Sequence, residues 1–513
     1  MNRRFSVSVV LVLALGVLYT LALQSLLPAQ EVFFSGDGGE KAMQMRQYAA
    51  GQFHVDLRLA RNTWTEDLWR QGLLPLDLTF FVINDKVYSI FPYTFPFVTA
   101  PFYAAFGMRG VCLIPLASVW CLWLAAAMAL RRIDPNPLRR AGLLAALIFA
   151  CPITLYSATY WEHPVAAALS FIGFLYTLGT EKRRDSMLRA ALFGITLGVA
   201  GWFREECMVF AAIVLAVSFF HTRRFAGNRA WFAYAAGTSF TILGYIALNV
   251  WIYGNPLGTH SIQRGIDVPI AQRVYNAANW SFEMYESYLH TMPIVLFGAG
   301  LFVALLRLAP RRLDREAWAL MAVVAVSLIG TGAIVPSHGD YQIGPRFLFP
   351  IVPVAWLLIA KWWREVDSLR VPVLRIGFAC VFLITLALGV KRDAIDGAMI
   401  LRDNYSTRVA PALDMLLSRP ETAVAVSNQA VSQELGVAMK DKDFFLVKTA
   451  ENWEMLATAV RERDDTGLLF IALGDETTEF DSVIRSVNDA ALSITQLGRY
   501  GRHFYFYTVR FAN

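Results

Sequence analysis

The 513-residue chain is 56% hydrophobic and only 17% charged, with a mean hydropathy of +0.45, which excludes an ordinary soluble globular protein and puts most of the sequence in lipid. Its formal charge of +6 does not point to nucleic acid, because the basic residues cluster in short stretches between apolar runs, the pattern that reports membrane orientation. The five cysteines, Cys112, Cys121, Cys151, Cys207 and Cys380, lie in or beside apolar runs with no CxxC or Cys/His spacing, which argues against a disulfide framework or a structural zinc site.

Val7 to Leu27 follows Asn2-Arg3-Arg4 and is about the 20 residues needed to cross a bilayer. Leu27-Pro28-Ala29 is a poor signal-cleavage site, so the sequence predicts an uncleaved first span with a cytoplasmic N-terminus. Further spans are expected at Val111 to Leu130, Ala141 to Ser157, Pro164 to Gly179, Ala190 to Phe203, Cys207 to Phe220, Trp231 to Tyr253, Tyr288 to Leu306, Ala317 to Val335, Phe347 to Ala360 and Val371 to Val390. The expected architecture is an α-helical polytopic membrane protein of about eleven transmembrane helices with a small C-terminal α/β domain. Residues 1–390 form its membrane domain, with a first outer loop over 29–110, and 391–513 form the extracytoplasmic domain.

Tyr88 to Gly107, with Pro92, Pro96 and Pro101 among Phe and Tyr, suits an interfacial or re-entrant segment better than a lipid-exposed span. If it does not cross, every basic cluster falls on the cytoplasmic side: Arg131, Arg132, Arg139 and Arg140; Lys182, Arg183, Arg184 and Arg189; Arg223, Arg224 and Arg229; Arg307, Arg311, Arg312 and Arg315; Lys361, Arg364 and Arg370. The expected setting is a bacterial inner membrane. In the tail, Thr422 to Ser427, Gly467 to Leu473 and His503 to Arg510 read as strands, and Thr407 to Ser418 and Ala450 to Arg463 as helices.

The outer connections then hold the residues that suggest chemistry. Phe33-Phe34-Ser35-Gly36-Asp37-Gly38-Gly39-Glu40-Lys41 places two carboxylates three apart on a glycine-rich turn. They could cap a helix, take a proton from a hydroxyl or hold a divalent metal such as Mg or Mn, with Asp37 as the ligand. The loop lacks the Lys-Ser/Thr ending of a P-loop, and no GxGxxG unit for a nucleotide is present. Trp161-Glu162-His163-Pro164 and Arg204-Glu205-Glu206 are interfacial anchors and an ion pair on the bland reading, and substrate groups and a phosphate ligand on the functional one. His260 and Arg264 lie in a turn-rich connection, and His338, Asp340 and Arg346 in another. Arg346 stands at the N-terminal end of a span, where a helix dipole favours a phosphate.

In this order the chain resembles the GT-C superfamily of polytopic glycosyltransferases, over roughly Val7 to Val390. The resemblance rests on a first span and an acidic first outer loop (Asp37, Glu40), then Phe91-Pro92-Tyr93-Thr94-Phe95-Pro96 running to Phe106-Gly107. Many short-looped spans follow, with Gly344-Pro345-Arg346-Phe347-Leu348-Phe349-Pro350 late in the chain. The family's commonest loop pattern has adjacent acidic residues or one residue between them, whereas two glycines separate Asp37 from Glu40.

The resemblance implies a transferase that moves a sugar from a polyprenyl-phosphate-linked donor to an acceptor hydroxyl, on a glycan, lipid or protein, at the extracytoplasmic face among membrane lipids. It makes Asp37 and Glu40 the catalytic pair, with the choice of base open. Arg346, with Arg204 or Arg264, binds the donor phosphate, and Glu162, His163, His260, His338 and Asp340 contact substrate. The alternatives are a lipid-linked glycan ligase or polymerase, a transporter or flippase of lipid-linked sugars, and a non-catalytic scaffold.

Overall fold

The computed structural model describes residues 5–76, 79–178, 186–221, 229–259, 269–335, 343–463, 467–474 and 492–511. The chain forms two compact units: a helical one from Met1–Ser25 and Cys112–Met399, and an α/β one from Leu26–Val111 and Ile400–Asn513.

In the helical unit each apolar segment expected to cross forms a helix. Among the described residues, five helical stretches are long and apolar enough to cross a membrane: Val7–Gln24, Met108–Ile133, Arg229–Tyr253, Arg315–Ala333 and Pro372–Ser418. Two bent pairs, Pro137–Phe149 with Pro152–Ala158 (52°) and Ala278–Thr291 with Ile294–Leu308 (95°), bring the number to seven if each is one span. His163–Leu178, Met187–Phe203 and Glu206–Phe220 are shorter, and Val352–Asp367 has 16 residues. The sequence count of about eleven is thus reached only by including helices below the ordinary crossing length of about 20 residues. Apolar side chains such as Val7, Leu11, Leu18, Val373, Ile376 and Leu383 point outward, a surface that suits lipid and not water.

Small residues set the closest helix contact. A Cβ on Gly194 would lie 2.0 Å from the Tyr234 carbonyl oxygen, one on Gly198 2.7 Å from that of Thr238, and one on Gly237 2.5 Å from that of Ala191. Helices Met187–Phe203 and Arg229–Tyr253 therefore touch backbone to backbone, the small-xxx-small packing of membrane helices. The Thr238 hydroxyl, which donates to the Gly194 carbonyl at 3.1 Å, ties the same contact.

Ion pairs of this unit at helix ends include two separate groups. In one, Arg139 pairs with buried Asp134 at 2.7 Å and with Asp367 at 2.5 Å, Lys361 with Asp314 at 2.9 Å and with Glu316, and Arg312 with Glu365 at 3.7 Å. These residues come from connections the sequence puts on one side of the membrane. Arg204, Glu162 and Glu206, from connections expected on the other side, form the second group. The basic residues at 182–184 and 223–224 lie outside the described residues.

The α/β unit takes its core from both of its chain segments. The tail forms a mixed five-stranded sheet of order β4-β3-β5-β7-β6, with β3 Ala423–Val426, β4 Asp443–Leu446, β5 Gly467–Leu473, β6 Leu492–Tyr500 and β7 Phe504–Phe511. The β4-β3-β5 pairs are parallel and the β5-β7-β6 pairs antiparallel. Ala425, Phe445, Trp453, Leu456 and Phe470 are buried with Leu68 and Leu73 from the first segment, and the Trp69 indole donates to the Phe444 carbonyl at 2.8 Å. The first segment adds the hairpin β1 Phe80–Ile83 and β2 Lys86–Ser89. Its two turn residues, Asn84 and Asp85, have φ of 52° and 59°, the backbone that a two-residue type I′ turn demands. The Pro/aromatic stretch becomes helix Thr94–Phe106, packed on helix Gly36–Ala49.

Gly194→Ala forces the helix pair apart and is expected to destabilise the protein by about 1–3 kcal/mol, read as a lower thermal unfolding midpoint in detergent. An unchanged midpoint would show that the contact relaxes without loss.

Candidate functional site

The acidic loop opens a helix at Gly36. Ser35, in an extended conformation, is the N-cap of helix Gly36–Ala49, and its carbonyl accepts from the Gly38 and Gly39 amides at 3.0 and 3.2 Å. Asp37 therefore lies inside the first turn, half-buried, where the positive end of the helix dipole favours its charge. Glu40 is fully buried. Its Oε1 accepts from the Thr79 hydroxyl and, at 2.7 Å, from Nε2 of Gln433; its Oε2 has no hydrogen-bond partner. Burial drives the Glu40 carboxyl well above the usual carboxylate range and the Asp37 charge adds to this, while the bonds from Thr79 and Gln433 and the charge of Lys41 oppose it.

The two carboxylates of the loop are thus chemically different. Lys41 is buried with its ammonium 4.4 Å from the Phe91 ring centroid. Arg46, the other nearby cation, is paired with Glu31 at 2.9 Å, and Glu31 also accepts from the Tyr103 hydroxyl. Among the described residues no group of three or more His, Cys, Asp or Glu side chains could hold a metal ion. For the expected Mg or Mn, Asp37 is thus not part of such a group among the described residues.

In the helical unit, Arg204 ends helix Met187–Phe203 with φ −146° and ψ 119°, and Glu206 opens the next helix. The buried guanidinium of Arg204 donates to Glu206 at 2.9 Å and to Glu162 at 3.0 Å. Glu162 and His163 are buried at the start of helix His163–Phe174, where Pro164 fits the first turn. The His163 ring lies against Trp161 and Phe347, at centroid distances of 5.1 and 5.9 Å.

Arg346 is half-buried and lies 4.2 Å from the Trp161 ring centroid. The Phe347 ring is 5.0 Å from the Arg204 guanidinium and 5.3 Å from that of Arg346, so it carries a cation on either side. Gly344, with φ 72°, makes this turn possible, and a Cβ there would also meet Pro152 at 2.7 Å. Arg346 opens a short 3-10 turn, Arg346–Leu348, ahead of helix Val352–Asp367, so it is not at that helix's N-terminus.

Of the residues singled out from sequence, the structure brings Glu162, His163, Arg204 and Arg346 into one cluster of the helical unit, and Asp37 and Glu40 into the α/β unit. His260, Arg264, His338 and Asp340 lie outside the described residues. Thr79 and Gln433 were not anticipated. Gln433 is 393 positions from the carboxylate it contacts, and no local pattern signals such a pairing.

No family model matches the sequence and no curated protein matches it. In solved structures the likeness is extensive. ArnT from Cupriavidus metallidurans in the apo state aligns over 98% of this chain and 97% of its own, with 14% identity and a TM-score of 0.57. The chain has the fold of that ArnT. The same ArnT bound to undecaprenyl phosphate gives the same values. The Archaeoglobus fulgidus oligosaccharyltransferase, in complex with Zn and sulfate, covers 96% of this chain and 72% of its own at 15% identity and a TM-score of 0.49. At 14% identity, the arrangement of helices and sheet, and not the sequence, is what this chain and ArnT share.

Because the folded state favours neutral Glu40, its contribution to stability is complete below the ordinary Glu pKa of about 4.3 and is lost as pH rises through the raised folded value. Glu40→Gln cannot ionise, so its stability should not fall across that window, and the variant should gain on the wild type as pH rises. Parallel unfolding curves for the two proteins from acid to neutral pH would show that Glu40 is ionised when folded.

Proposed function

We propose that the protein is an integral-membrane glycosyltransferase that moves a sugar from a polyprenyl-phosphate-linked donor to an acceptor hydroxyl at the extracytoplasmic face. The observation that carries this reading is the likeness over 98% of the chain to ArnT, a protein also solved with undecaprenyl phosphate bound. A donor of that class reaches its enzyme through the bilayer, which accords with the outward-facing apolar helices.

In the reaction the acceptor hydroxyl gives its proton to a base, its oxygen bonds to the anomeric carbon, and the bond from that carbon to the phosphate oxygen breaks. The electron pair leaves on polyprenyl phosphate. Asp37 is the base: it is half-buried in the first turn, whereas Glu40 is fully buried and taken up by Thr79 and Gln433. Such a base contributes on the order of 10²–10⁴-fold. Arg346 is the phosphate ligand. Its guanidinium lies 4.2 Å from the Trp161 ring centroid, and a planar N–H fork matches the geometry of a phosphate. Two carboxylates already hold Arg204, which makes it a support for Phe347 and for Glu162.

Asp37→Asn should lower turnover of an undecaprenyl-phosphate-linked sugar by at least about a hundredfold while the protein still folds. Arg346→Lys keeps the charge but loses the planar fork, and should weaken binding of undecaprenyl phosphate by about tenfold. Near-normal turnover by Asp37→Asn removes it from the mechanism, and unchanged lipid-phosphate affinity in Arg346→Lys removes Arg346 from donor binding.

A further inference from the structure

We infer that Gln433, on the C-terminal segment, is a positioning residue for the acidic loop: through Glu40 it clasps the first turn of helix Gly36–Ala49 and so fixes where Asp37 stands. The inference rests on Asp37 as the base.

The clasp is made in backbone as well as side chain. A Cβ on Gly36 would lie 2.6 Å from Oε1 and 2.8 Å from Cβ of Gln433, and one on Gly39 would lie 2.1 Å from the Gln433 carbonyl oxygen. Only glycine at both positions lets helix Gln429–Leu435 come this close. One turn further on, a Cβ on Gly436 would meet Cε of Met43 at 2.2 Å, so the contact continues along the helix.

The side chain of Gln433 then completes the contact. Its Nε2 lies 2.7 Å from Oε1 of Glu40 and 3.3 Å from Oγ1 of Thr79, so one amide meets both the buried carboxyl and the hydroxyl that shares it. Glu40 is one helical turn from Asp37 on the same face. Holding Glu40 in a buried three-way contact therefore holds the turn that carries Asp37. The two glycines that separate the carboxylates, unlike an adjacent acidic pair, give one carboxyl to the clasp and leave the other half-exposed.

Full-length protein in nanodiscs tests this with Gln433→Met, which keeps length and bulk but removes the amide, with Glu40→Leu, and with the double variant. Amide hydrogen exchange over residues 36–40 is read alongside kcat and KM for an undecaprenyl-phosphate-linked sugar. Gln433→Met should speed exchange over 36–40 while β3 to β5 keep their protection, and should lower kcat by about tenfold with little change in KM. The double variant should be no slower than Glu40→Leu alone, because both changes break one contact.

Unchanged exchange and kcat in Gln433→Met, or losses that multiply in the double variant, would overturn the inference. Should Gln433→Met not fold, Gly36→Ala displaces the same side chain and is read in the same way. A loss of turnover in Asp37→Asn with none in Gln433→Met removes the positioning role alone. Normal turnover in Asp37→Asn removes the base assignment, and the exchange data then report a clasp with no catalytic consequence.

Discussion

An ionised side chain is costly in hydrocarbon, and the helical unit is built around keeping its charges out of it. Two groups of arginines and acids pair at helix ends, Arg139 with Asp134 and Asp367 in one, and Arg204 with Glu162 and Glu206 in the other. The helices between them carry apolar side chains outward and glycines inward. Helices shorter than an ordinary span are tolerated because their ends, such as the break at Arg204, are buried against partners within the unit.

The second group differs from the first in its aromatic content. Trp161 lies against Arg346 and Phe347 against both Arg346 and Arg204, and the His163 ring packs on these two aromatics. A cation in such surroundings interacts with an arriving anion more strongly than one in water would. That is the physical case for Arg346 as a phosphate ligand and for Arg204, whose edge is already filled by carboxylates, as its neighbour.

The α/β unit solves a different problem with the same means. Glu40 is placed where ionisation is unfavourable, and its hydrogen-bonding capacity is used to join three distant pieces of chain, through Thr79 and Gln433. Asp37, one turn away, stays half-exposed. Two like residues three positions apart thereby come to stand in different surroundings, one fully buried and one half-exposed.

Much of this was legible in the sequence. Apolar runs located most helices of the helical unit, because burial in lipid demands long apolar stretches whatever their neighbours, but the polar helix Ile270–Thr291 was read as a connection up to Tyr288. β-branched and aromatic runs marked β3, β5 and β7, although β4 (Asp443–Leu446) and β6 (Leu492–Tyr500) were not read. The residue types at Glu162, Arg204 and Arg346 marked a polar group that the structure brings together. What the sequence could not supply was partnership: that Glu40 meets Gln433, that Arg204 is held by two acids, and that Leu68 and Leu73 share a core with the tail sheet. Local pattern fixes which residues must be buried or exposed, but the partner of a buried polar group is decided by long-range packing, and only the tertiary structure could distinguish Asp37 from Glu40.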